Sequence, residues 1–464
     1  MSRIISRRQF LRTTGFIAAG AGLAACAPIP AAPKASTPQT VAAAPTEAPA
    51  SSSASSGGKV ALWGWPTAVT RSRDAKGKDM LAQRVKEELG IELEPSLVEQ
   101  NDLGAKLKAA LPAGTGPDVL ATDFDVMGPY WGFMLPLDDL GKAEWSGKWR
   151  KELFTDAANS EINLVADIGG KPGNTLYLPG NMQVLGWVYY WIDDFKKNNI
   201  DPSTLKSWGD FTAACDKLKI AGLTPLAGAN HPATLVDWYQ SVVEVAAPDK
   251  MEKVQRGMGK FSDDDMVKTF DLLAKTHNDY MQSGVLGMDA GAGIGLFQQH
   301  KTVMTGVFTG TPWFGFLAND NQDVRKAINN DWGTFVLPGS KGLAATDAGI
   351  GIVNGTKNID SAWAYCKWLS TGKGGQHLSD EGEPMGARAL IPKPKGTKFD
   401  ENLGKPLYAA LGSPANKFRR VLCADVYSSL TKVIPGVVSK QISAIDAATE
   451  VQTAFDKNCG KWVK

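Results

Sequence analysis

The strongest constraint on the fold is a repeated change of hydrophobic period early in the chain. Lys59-Val60-Ala61-Leu62-Trp63-Gly64-Trp65-Pro66 is a short β-prone run stopped by a Gly/Pro break. Met80 to Leu89 then carries apolar residues at helical spacing, and Ile91 to Val98 returns to a strand-like run. Leu103 to Leu111 is helical again, and Pro117-Asp118-Val119-Leu120 makes a third strand. Strands separated by helices pair through crossovers, which yields an α/β fold with a parallel, doubly wound sheet covered on both faces. Ligands of such sheets sit beyond the carboxyl ends of the strands, so the loops after Leu62 and Leu120 are the first places to look for a site.

A second unit begins after Asn174-Thr175-Leu176-Tyr177-Leu178-Pro179. Gly186 to Phe195 is apolar and aromatic, and Ser207-Trp208-Gly209-Asp210 has capping-box spacing for a helix with Phe211, Ala214, Cys215 and Leu218 on one stripe. Ser361 opens another helix, with Ala362, Tyr365, Cys366 and Leu369 at the same spacing, and Gln441 to Phe455 reads as a long closing helix. The roughly 400 residues from Lys59 onward suffice for two ordinary domains and a sizeable core.

The segment before Lys59 has a different character. Ser6-Arg7-Arg8-Gln9-Phe10-Leu11 precedes a brief apolar stretch, Gly15 to Leu23, and then Ala24, Ala25 and Cys26. This is the layout of an export signal, and the apolar part is far below the roughly 20 residues that cross a bilayer. Ser-Arg-Arg-x-Phe-Leu resembles the twin-arginine signal, and Leu23-Ala24-Ala25-Cys26 resembles the lipoprotein processing box. Those resemblances imply export in the folded state and a lipid on Cys26, holding the protein on the outer face of the cytoplasmic membrane. Residues 26–58 are almost wholly Ala, Pro, Ser and Thr with Lys34 and Glu47 the only charges, a composition expected to form a disordered tether.

Charge narrows the partners. The chain has 50 basic and 48 acidic side chains; without Arg3, Arg7, Arg8 and Arg12 of the signal the balance is 46 to 48, a net charge of −2. Near-neutrality argues against nucleic acid, which needs a basic footprint. All 14 tryptophans follow Cys26. Their planar faces suit sugar rings, although core packing accounts for most tryptophans in any fold.

The mature chain resembles the family 1 extracellular solute-binding proteins, the maltose-binding-protein-like group, through an ordered series of pieces. Gly116-Pro117-Asp118-Val119 with Asp123 and Asp125, then Leu135-Pro136-Leu137-Asp138-Asp139-Leu140, is similar to the first-lobe signature. Tyr177-Leu178-Pro179, Val188-Tyr189-Tyr190-Trp191 and Phe195-Lys196-Lys197 resemble the crossing segment, with Trp191 in place of the usual asparagine. Trp208-Gly209-Asp210-Phe211, Val303-Met304-Thr305-Gly306 with Thr311-Pro312-Trp313, Ser361-Ala362-Trp363 and Glu383-Pro384-Met385-Gly386-Ala387-Arg388 follow in order.

The resemblance implies a periplasmic-binding-protein type II fold of two α/β lobes with the ligand cleft between them. The expected division is a signal over 1–25, a tether over 26–58, a first lobe over 59–178 with 303–335, and a second lobe over 179–302 with 336–464 whose last helices partly return to the first. Crossings are expected near Leu176 to Pro179, near Val303 to Gly306 and beyond Gly333. The implied function is capture of a sugar, oligosaccharide or polyol by hinge closure and delivery to the membrane permease subunits of an ABC importer, by a monomer. A non-sugar solute such as a polyamine or peptide, a secreted glycosidase, and an adhesive lipoprotein without a small ligand are the alternatives.

Carried over position by position, the ligand-binding candidates are Trp63 on the first strand and Trp65 after it, Asp123 and Asp125 after the third, and Gln183 where the maltose branch has a glutamate. Trp187, Trp238, Trp313, Asp347 and Arg388 complete the set, with Trp313 on a stacking tryptophan of the family and His231 near a further contacting position. A carboxylate accepts two adjacent hydroxyls, and an amide at position 183 both donates and accepts, so the hydroxyl pattern read here differs from that of maltose. No Gly-x-Ser-x-Gly elbow, His-Glu-x-x-His helix, paired Cys-x-x-Cys, dinucleotide loop or phosphate loop is present, so neither catalysis nor a cofactor or metal is expected. Four cysteines follow Cys26 and allow three pairings. Cys215 and Cys366 fall on apolar stripes, which leaves Cys423 with Cys459 as the favoured pair; four reduced thiols are the alternative.

Overall fold

The computed structural model describes residues 58–64, 79–98, 100–123, 128–168, 171–306, 331–340, 342–380, 383–391, 411, 421 and 423–459. The signal, Cys26 and the tether up to residue 57 lie outside the described residues. In the first lobe β1 (Lys59–Gly64), α1 (Leu81–Leu89), β2 (Glu92–Leu97), α2 (Gln100–Ala110) and β3 (Val119–Asp123) follow the order expected from the sequence. β1 pairs in parallel with both β2 and β3. Val60 and Leu62 are buried while Lys59, Ala61 and Trp63 are less so, the alternation of a pleated strand. α1 turns Leu81 and Val85 inward, four residues apart on one face, and stops at Gly90, whose φ of 70° suits a residue without Cβ.

The chain continues through α3 (Asp156–Ile168), β4 (Leu178–Pro179), β5 (Met182–Leu185), β6 (Trp187–Trp191), α4 (Trp208–Ile220), β7 (Leu226–Ala227) and α5 (Pro232–Ala246). Next come α6 (Asp264–Tyr280), α7 (Ala290–Gln298), β8 (Met304–Thr305), β9 (Trp332–Val336), β10 (Leu343–Thr346) and β11 (Ala348–Ile352). α8 (Ile359–Ser370), α9 (Ala424–Val438) and α10 (Ala444–Asn458) follow. The first sheet is ordered β2-β1-β3-β11-β4, and the second β7-β8-β6-β9.

Each sheet has its own core. α8 buries Ala362, Tyr365, Cys366 and Leu369 on the first, the stripe expected from its sequence. In the second lobe α4 opens with the capping box, Ser207 Oγ accepting from the Asp210 amide and the Asp210 carboxylate from the Ser207 amide, a device worth about 1 kcal/mol. α4 buries Phe211, Ala214, Cys215 and Leu218. Burial raises the thiol pKa of both Cys215 and Cys366, which are free. Cys423 and Cys459 are joined in a disulfide that ties the start of α9 to the end of α10.

The division into lobes differs from the expected one. β8 and β9 both pair with β6, so 304–305 and 332–336 belong to the second sheet, not the first. β11 lies between β3 and β4, so 348–352 belongs to the first sheet, not the second. α8 packs there too, whereas α9 and α10 pack in the second core. Val303 to Gly306 is therefore not a crossing. The described crossings are β4-β5-β6 and β9-β10-β11, and their middle strands pair with each other as a two-stranded antiparallel ribbon, Leu343 opposite Leu185 through Thr346 opposite Met182. Pairing partners set the lobe of a strand, and a two-residue strand such as β8 carries too short a pattern to announce its partners.

Candidate functional site

Strand direction brings the ligand ends of both sheets to the ribbon. In the first sheet β3 ends at Asp123 opposite the start of β11 at Ala348, and β4 ends beside it at Pro179, opposite Gly349. In the second, β6 begins at Trp187 where β9 ends at Val336, and β7 and β8 finish at the same side, with Ala227 opposite Thr305 and Thr305 opposite Tyr189. The chain leaves one set of carboxyl ends, passes through the ribbon, and enters at the other. This is the place where an open α/β sheet binds its ligand, supplied twice.

On the first-lobe side the anchor of the ribbon is polar. The Asp347 amide donates to the Asn181 carbonyl at 2.9 Å, and the Asn181 side-chain amide donates to the Asp347 carboxylate at 3.0 Å. Glu161, fully buried on α3, accepts from the Thr346 amide at 2.7 Å, and Ser370 Oγ donates to the Pro179 carbonyl. The Glu-Pro-Met-Gly motif closes over this corner: the Met182 amide donates to the Pro384 carbonyl and the Gly386 amide to the Gly180 carbonyl. A Cβ on Gly386 would stand 2.4 Å from Cβ of Pro179, so only glycine permits the approach. Glu383 reaches from this lobe toward Tyr189 of the second sheet, and burial first, then that carboxylate, raise the phenol pKa.

On the second-lobe side the anchor is aromatic. Alternation along β6 sends Val188 and Tyr190 into the second core and Trp187, Tyr189 and Trp191 to the opposite face, contiguous with the first core. Trp191 stacks on His300 at 4.0 Å and meets Trp332 edge-on. The loop after β7, Gly228 to His231, leads into α5, with Asn230 pinned by its amide to the Met288 carbonyl and by its side chain to the Leu286 carbonyl.

The candidates from sequence fall into three groups. Asp123, Gln183, Trp187 and Asp347 lie along the ribbon: Asp123 ends β3 and Asp347 precedes β11 at its first-lobe end, Gln183 is buried on β5 opposite Ala345, and Trp187 starts β6 beyond its other end. Trp65, Asp125 and Trp313 lie outside the described residues. The remaining three have structural engagements. Trp63 packs on the first core with the Lys106 ammonium 3.6 Å from its ring centroid, and Lys106 also donates to Ser96. Arg388 pairs with Asp156 at the start of α3.

Trp238 is 0% exposed in the middle of the second core, where a Cβ on Gly306 would collide with its ring, so in the described structure it packs the core. The reason is α5 itself, whose residues Thr234 to Glu244 are all buried, a helix enclosed on every side. His231 stands at the N-cap position of that helix, where its backbone carbonyl accepts from the Leu235 amide. Sequence reasoning missed Asn181, and its only signal is the turn-forming Pro179-Gly180-Asn181.

Among the described residues, the cluster of metal-ligand geometry is Cys423, Asp425 and Cys459, and two of its members are committed to the disulfide. Among the same residues no helix is long and apolar enough to cross a membrane.

Residues 80–380 match the family model of bacterial extracellular solute-binding proteins, and the chain belongs to that family. By sequence, no curated protein matches it. Its fold is shared with the GacH receptor of Streptomyces glaucescens, solved unliganded and with acarbose and an acarbose homologue, at 16% identity over 86% of this chain and 98% of that one, TM-score 0.63. It is shared with the ABC transporter associated binding protein of B. animalis subsp. lactis Bl-04 in complex with beta-1,6-galactobiose, at 14% identity over 87% and 98% of the two chains, TM-score 0.64. A chitin oligosaccharide binding protein matches at 18% identity over 86% and 98%, TM-score 0.64.

Proposed function

We propose that the protein captures a carbohydrate outside the cytoplasmic membrane by closing its two lobes about the ribbon, and hands it to the permease of an ABC importer. The observation that carries this reading is the meeting of both sheets' carboxyl ends at one two-stranded ribbon, which leaves the ligand ends of two lobes facing a shared, bendable connection. A solute held between them makes contacts that only the closed arrangement offers, so binding shifts the population toward closure. The carbohydrates named for the GacH receptor, the galactobiose-bound protein and the chitin oligosaccharide binding protein support a sugar in particular. So do the carboxylate of Asp347 and the amide of Gln183 at the ribbon, which suit hydroxyl groups. Export through the twin-arginine signal and anchoring by lipid on Cys26 complete the proposal, with residues 26–58 as the leash. Two acyl chains or more are needed for a stable hold.

A thermal-shift screen of the mature protein tests the reading. A sugar bound only by the folded state adds about 2.7 kcal/mol at a concentration about 100 times its Kd, and the melting temperature rises with dose. Protection by peptides or amines, with none by sugars, refutes the carbohydrate assignment.

A further inference from the structure

We infer that Asn181 reads a hydroxyl of the captured solute, and that Asn181 with Asp347 forms a pair of acceptors for two neighbouring hydroxyls; this rests on the carbohydrate reading above. Three observations lead to it. Asn181 is the hinge residue between β4 and β5, at the carboxyl end of the first sheet, where Asp123 and Asp347 also stand. Its amide orientation is fixed by chemistry, since the Asp347 carboxylate accepts only and therefore takes the Nδ2 end, at 3.0 Å. That leaves Oδ1 buried and, among the described residues, with no hydrogen-bond donor.

Buried polar atoms in folded proteins almost always have a partner, and an acceptor left without one at the ligand end of a sheet is a place for a donor to come. An asparagine kept only to bracket Asp347 has no use for its second polar atom. Oδ1 is closed to water in the arrangement described, so a hydroxyl reaches it while the lobes are parted and is sealed in when they shut. In that dry surrounding a hydrogen bond is strong and its absence is penalised, so the empty closed form is disfavoured and the filled one favoured. Asn181 thereby couples recognition to closure. The solute class this selects carries two adjacent donors, as a vicinal diol does, in preference to an acid or an ether.

The test is calorimetric titration of the mature protein, Asn181→Leu and Asn181→Ser. The probes are raffinose, beta-1,6-galactobiose and chitin oligosaccharides, followed by monodeoxy analogues of whichever binds best. Both variants are expected to bind the parent sugar about tenfold more weakly or worse. One monodeoxy analogue is expected to lose about tenfold on the wild type and less than about twofold further on the variants, since the two changes remove one interaction. Unchanged affinity in the variants overturns the inference. So does a uniform loss across all analogues, which is what a bracket for Asp347 alone produces. If Asn181→Leu does not fold, Asn181→Ser with the deoxy series decides. If the wild type binds only a polyamine or a peptide, the carbohydrate reading falls, and equal affinity of the variants for that solute overturns Asn181 separately.

Discussion

The two lobes hold the two ends of the same ribbon by different physics. At the first lobe the grip is a set of hydrogen bonds to backbone groups of the ribbon and its flanks: Glu161 on Thr346, Ser370 on Pro179, Asn181 and Asp347 on each other. At the second lobe it is aromatic packing around β6 and β9, with Tyr190 against Phe195 at 4.2 Å and against Phe335 at 5.7 Å. That lobe is further tied by its disulfide. Hydrogen bonds fix direction, whereas apolar contact fixes little beyond proximity. The first-lobe end of the ribbon is thus held mainly by side-chain hydrogen bonds and the second-lobe end mainly by aromatic packing.

Three measurements break or sharpen that contrast. The largest effect is expected from Trp238→Ala, which empties the middle of the second core and costs about 3–5 kcal/mol, read as a lower denaturation midpoint. Ligand affinity of the fraction that stays folded should be unchanged, and a selective loss of affinity would return Trp238 to the cleft. Next is removal of the Cys423–Cys459 bond, which spans 36 residues, by Cys423→Ser with Cys459→Ser. On the chain-entropy account this costs on the order of 3–4 kcal/mol, and hydrogen exchange should rise in α9 and α10 while α1 and α8 stay protected. Equal loosening of both lobes would erase the distinction. The smallest is Glu161→Ala, which leaves the Thr346 amide buried without its acceptor and costs about 1–3 kcal/mol. Its signature should be a changed closure equilibrium by X-ray scattering, with the second lobe's exchange untouched.

The sequence was most informative where period and caps act locally. The strands and helices of residues 59–120, the Ser207 capping box and the stripes on α4 and α8 all rest on spacing within a few residues. It was least informative about which sheet a strand joins. β8 and β9 were expected in the first lobe because the resemblance implied a crossing near Val303 to Gly306, yet their partner is β6, more than 100 residues earlier. Trp187, Asp123 and Asp347 were reachable by position, since each starts, ends or adjoins a strand, and Gln183 through the resemblance. Asn181 was not, because nothing in Pro-Gly-Asn tells which side of the turn becomes buried. Trp238 was ambiguous in sequence for a related reason: a tryptophan near a helix start looks the same whether that helix is half exposed or enclosed.

The central place of β11 has a consequence for the making of the protein. Because residues 348–352 insert between β3 and β4, the first sheet is interrupted until that strand arrives, although its earliest strand begins at Lys59. Pairings of such long sequence separation form slowly. During synthesis the β3 and β4 edges are therefore open while most of the chain is made, a period of exposure to wrong pairing that ends only when residues 348–352 have been added.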